Sequence, residues 1–66
     1  MESLTIHGEI SQSVGTTYFD VSVPENEKLD SKVVEQAFRH YWGSHIEYPT
    51  YKKDGRQHYK IAAYKD

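Results

Sequence analysis

One dipeptide, Asp54-Gly55, constrains this chain of 66 residues more than any other feature. It separates two runs, 46–53 and 56–64, in which side chains of unlike character alternate. A two-residue type I′ turn needs positive φ at both central positions, which Gly adopts freely and Asp tolerates. The hairpin predicted around it pairs Lys53 with Arg56, Tyr51 with His58, Thr50 with Tyr59 and Tyr48 with Ile61. Alternation assigns Ile46, Tyr48, Thr50, Lys52, Gln57, Tyr59, Ile61 and Ala63 to one face. Glu47, Pro49, Tyr51, Lys53, Arg56, His58, Lys60, Ala62 and Tyr64 take the other. The first set is apolar except beside the turn, so it is the expected core face. A three-residue turn would mix the two sets. Pro49 has no N–H to donate, so its strand is expected at a sheet edge or bulged there.

The rest of the chain supplies a second hairpin and one helix. Leu4, Ile6 and Ile10 alternate with Thr5, His7 and Glu9, a half-buried strand with Gly8 on its inner side. After a turn over 11–15, Phe19, Val21 and Val23 point inward and Tyr18, Asp20 and Ser22 outward. Pro24 ends that strand and opens an acidic connector. Leu29 is expected to staple the next element, with Asp30 or Ser31 as N-cap. Val34, Ala37, Phe38 and Tyr41 follow i, i+3, i+4, i+7 spacing, with Val33 or Trp42 flanking, which predicts a helix from Ser31 to about Trp42. Gly43 suits the C′ position. The expected fold is a single α+β domain over 1–66 in ββαββ order, a four-stranded, mostly antiparallel sheet with one helix on one face. The initial Met fits an intact short reading frame.

Size limits what such a fold can hold. A chain this short buries only ~60% of the surface its unfolded form exposes. It has no cysteine, so no disulfide staples it. Hydrophobic residues make up 36% of the chain, low for a small core, and the six Tyr, two Phe and one Trp offset this with large buried area. No apolar run is long enough to span a membrane, and no leader pattern appears, so a cytoplasmic location is expected. The net charge of −2 hides an asymmetry: residues 1–38 carry seven acids against Lys28 and Lys32, whereas 39–66 carry six bases against Glu47, Asp54 and Asp66. Neither half reaches the charge density of a strong duplex binder.

A single helix leaves one sheet face uncovered, and its outward residues carry the chemistry. Tyr51, Lys53, Arg56, His58, Lys60 and Tyr64 form the candidate partner-binding set, beside Thr5, His7, Glu9, Tyr18, Asp20 and Ser22. Rings beside cations suit a protein hot spot, where Tyr and Arg are enriched. They also suit single-stranded nucleic acid, whose bases stack on rings while cations meet phosphates. Tyr is equally a good strand residue on a solvated face. His7, His40, His45 and His58 have no cysteine or acid set that makes a recognisable metal site, and no metal or cofactor is expected. No nucleophile-elbow motif or Gly-rich phosphate loop appears, so catalysis is not expected.

The expected function is therefore binding: a small non-catalytic modulator or inhibitor of another protein, acting through its open sheet face or an edge. In kind it is similar to the accessory proteins of phages and mobile elements. The runner-up is a single-stranded RNA or DNA binder using the C-terminal hairpin. A third reading is a homodimer paired through open faces or edge strands.

Overall fold

Two tight turns build the sheet. The computed structural model describes residues 4–65. Asp54 (φ 55°) and Gly55 (φ 76°) both take the left-handed conformation that a type I′ turn requires. Gly15 (φ 77°) serves the first hairpin. The elements are β1 (Thr5–Ser13), β2 (Thr16–Pro24), α1 (Ser31–Ala37), β3 (Gly43–Lys53) and β4 (Arg56–Tyr64). All neighbours are antiparallel, in the order β1-β2-β4-β3. The protein is thus an α+β fold in ββαββ order with one helix on one face. Among the described residues, no helix is long and apolar enough to cross a membrane.

The central pair, β2 and β4, runs without a slip from Thr16 opposite Tyr64 to Pro24 opposite Arg56. It supplies Phe19, Val21, Ile61 and Ala63 to the core, which Val34 and Phe38 complete from the helix side. Phe19 and Phe38 lie 4.9 Å apart, and Tyr41 meets both edge-on at 5.7 and 5.9 Å. Leu29, Ile46 and Tyr59 pack around this cluster, so Leu29 does anchor the helix entry. Asp30 is the N-cap, its carboxylate accepting from the Lys32 N–H at 3.0 Å.

The helix ends at Ala37, short of the expected Trp42. Sheet pairing overrides the helical periodicity here. Gly43, instead of capping the helix, begins β3 opposite Tyr64, and the Trp42 N–H donates to the Tyr64 carbonyl at 2.9 Å. Phe38 and Tyr41 keep their core contacts from the turn that follows, where the Tyr41 N–H donates to the Phe38 carbonyl at 3.0 Å. A seven-residue helix has little stability of its own, so packing decides its length.

Both edge strands bulge twice, and each bulge changes which face a side chain takes. From the turn, β3 follows the expected pairs Lys53–Arg56 and Lys52–Gln57. An extra residue then sets Pro49 opposite Tyr59 and Tyr48 opposite Lys60, and another sets Ile46 opposite Ile61. The expected pairs Thr50–Tyr59 and Tyr48–Ile61 do not form. Tyr48 moves from the core side to the uncovered face, where it is 50% exposed. In β1 the slips fall around His7 and Ile10. Gly8, expected inward, sits opposite Asp20 on the open face, and Glu9, expected outward, sits opposite Phe19. Ile10, expected in the core, is 52% exposed.

Truncating Phe38, 4% exposed at the centre of this packing, with Phe38→Ala is expected to cost about 3–5 kcal/mol. Urea denaturation measures it. An unchanged midpoint would place Phe38 outside the core.

Candidate interaction face

All six residues expected to bind a partner lie on the uncovered face, because Arg56, His58, Lys60 and Tyr64 alternate away from the core residues Ile61 and Ala63. The face organises into rows that cross the strands. The first row runs from β1 to β3. His7 stacks on His58 with centroids 4.8 Å apart, and His58 stacks on Tyr51 at 4.1 Å. His7 and His58 are not on neighbouring strands. They meet above Ser22 of β2, whose side chain is small enough to lie wholly buried beneath them.

Polar groups within this row satisfy one another. Arg56 Nε donates to Ser22 Oγ at 2.8 Å, and its Nη2 donates to the Ser22 carbonyl at 2.9 Å and to Thr5 Oγ1 at 3.1 Å. Guanidinium only donates, so Ser22 Oγ accepts from it, and the same oxygen hydrogen-bonds His7 Nε2 at 2.8 Å. His58 Nδ1 lies 3.1 and 3.3 Å from the two Asp20 oxygens. An ionised carboxylate only accepts, so Nδ1 carries the hydrogen. The Tyr51 hydroxyl donates to the same carboxylate at 3.4 Å. No buried side-chain nitrogen or oxygen among the described residues lacks a partner. His58 is 6% exposed, so it supports the rings on either side of it and offers little surface itself.

In the second row, Lys60 sits between two rings. Its Nζ lies 4.5 Å from the Tyr18 centroid and 5.4 Å from that of Tyr48, and it donates to the Tyr48 hydroxyl at 3.4 Å. In the third, Tyr64 meets His45, ring to ring at 5.4 Å and hydroxyl to Nδ1 at 2.8 Å. His45 Nε2 in turn contacts the Glu47 carboxylate. Lys53 is exposed at the turn end.

Tyr48 joins this face although alternation assigned it to the core side, His45 precedes the predicted hairpin and was assigned to neither face, and Glu47 lies on the face that alternation gave it. The missing N–H of Pro49 marked the place of the β3 irregularity, but not how many residues it would insert. Among the described residues, no three His, Asp or Glu side chains converge as a metal site. No protein family, curated protein or solved structure matches the chain.

The Tyr51 phenol is raised above the usual tyrosine range by partial loss of hydration, then by the charge of Asp20 and the hydrogen bond it accepts. A folded-state value above the unfolded one stabilises the fold below the unfolded phenol value, and this contribution is lost as pH rises through the folded value. Tyr51 is therefore expected to titrate later than free tyrosine by NMR of labelled tyrosine rings, with Asp20→Asn lowering the value. Titration at or below free tyrosine would contradict this arrangement.

Proposed function

We propose that the uncovered sheet face docks a protein partner, making the chain a small non-catalytic modulator or inhibitor of the kind that phages and mobile elements carry. The observation that carries this reading is that, on a face of anchored rings, carboxylates offset all but one of the cations. Lys53, Arg56 and Lys60 share the face with Asp20 and Glu47, and each carboxylate is tied to a histidine. A polyanion-binding groove tracks phosphates with an excess of cations. This face instead offers the half-exposed rings of Tyr48 and Tyr51 with a cation held between rings, which suits the anchors of a protein interface. Rings already fixed by internal hydrogen bonds lose little freedom on docking.

The test compares wild type with the double variant Tyr51→Ala/Lys60→Ala, both immobilised and exposed to nuclease-treated cell extract. A protein held by wild type at physiological salt and lost with the variant, whose circular dichroism is unchanged, is the expected result. Equal retention would remove the hairpin's outer face as the site. Tight, salt-sensitive binding of a random single-stranded oligonucleotide, measured by fluorescence anisotropy, would replace the protein partner with nucleic acid.

A further inference from the structure

Two phenols on this face have unlike proton acceptors. Tyr51 donates to a carboxylate, that of Asp20. Tyr64 has its hydroxyl 2.8 Å from an imidazole nitrogen, His45 Nδ1. The other nitrogen of His45 contacts Glu47, the extra residue where β3 bulges between Ile46 and Tyr48. A carboxylate only accepts, so this contact keeps a ring hydrogen on Nε2, and in the neutral imidazole Nδ1 then carries a lone pair. Toward neutral His45, Tyr64 is the donor. Hydroxyl, imidazole and carboxylate thus stand in the order of a nucleophile, its base and the group that orients the base. His45 lies opposite Ala62, whose small side chain leaves the Tyr64 ring room to reach it along the diagonal.

The difference between the two phenols follows from their acceptors. Imidazole is a stronger base than carboxylate by about 2–3 units in model peptides. When Tyr64 gives up its proton, an imidazolium forms between a phenolate and a carboxylate, with an opposite charge on each side. When Tyr51 gives up its proton, the new charge lies beside Asp20, whose field opposes it.

We propose that Tyr64 is a nucleophilic phenol, an acyl-accepting modification site for activated acyl donors. This goes beyond protein docking and does not depend on it. With an acyl-imidazole donor, Tyr64 Oη attacks the acyl carbon while its proton passes to His45 Nδ1. The new C–O bond forms, the C–N bond to the leaving imidazole breaks, and His45 returns the proton to the leaving nitrogen. The products are an aryl ester on Tyr64 and free imidazole, with no change of oxidation state. Glu47 acts as a positioning residue through His45. A cleft lined by His40, Tyr41, Trp42 and Lys65 adjoins Tyr64 and gives the donor room.

The test treats the full chain with limiting N-acetylimidazole and maps O-acetylated tyrosines by mass spectrometry, with Tyr48 and Tyr51 as references on the same face. General-base assistance reaches ~10²–10⁴ in enclosed active sites, and this exposed relay is expected to give Tyr64 at least about a tenfold advantage. His45→Ala should abolish that advantage, and Glu47→Gln should reduce it, with reference rates and circular dichroism unchanged. Tyr64 reacting no faster than Tyr48 in wild type would overturn the proposal without any variant. A preference that survives His45→Ala would also overturn it, since simple exposure would then explain the rate.

Discussion

One short helix lies against a four-stranded sheet, and its apolar stripe can fill only one side. Side chains on the other side must satisfy their polar groups among themselves or with water, because a buried polar group without a partner costs about 1–3 kcal/mol. The rows of the open face are the result. Ser22 is the keystone, since its small, fully buried side chain lets imidazoles from β1 and β4 close above it. Arg56 fastens the same point to β1, β2 and β4 at once. A larger residue at position 22 would hold His7 and His58 apart and leave Tyr51 stacked on an unsupported ring.

The edge strands serve the same constraint. The regular β2–β4 ladder carries the core, while β1 and β3 absorb the irregularity in two bulges each. Bulges twist an edge away from flat pairing with another chain. On β3 they are joined by Pro49, which cannot donate, and by Lys52 and Lys53, which resist an approaching strand. The bulges also build the face: one turns Tyr48 outward beside Lys60, and another makes Glu47 an extra residue next to His45. Edge protection and face chemistry therefore come from the same backbone irregularities.

Much of this was legible in the residues. Asp54-Gly55 specified the second hairpin because its turn needs positive φ twice. The spacing of Val34, Ala37, Phe38 and Tyr41 marked the buried helical stripe, and the outward positions of Tyr51, Lys53, Arg56, His58, Lys60 and Tyr64 followed from strict alternation along β4 and near the turn. The helix end was not legible: periodicity continues through Tyr41, but pairing of Gly43 with Tyr64 competes for the same segment and wins. Tyr48, Gly8 and Glu9 were misplaced because a single inserted residue reverses alternation, and insertions are set by how edge strands fit the central pair. Nor could alternation show that His58 would be buried between two rings, since that depends on the small size of Ser22 on a strand far away in sequence.

The central claim is that the open face is organised before anything binds it. The most direct measurement is the pattern of nuclear Overhauser contacts among ring protons of the unbound protein in solution. Strong contacts between His7 and His58, and between His58 and Tyr51, are predicted. Their absence, with the three rings averaging over several rotamers, would contradict a prearranged face and the account of docking built on it.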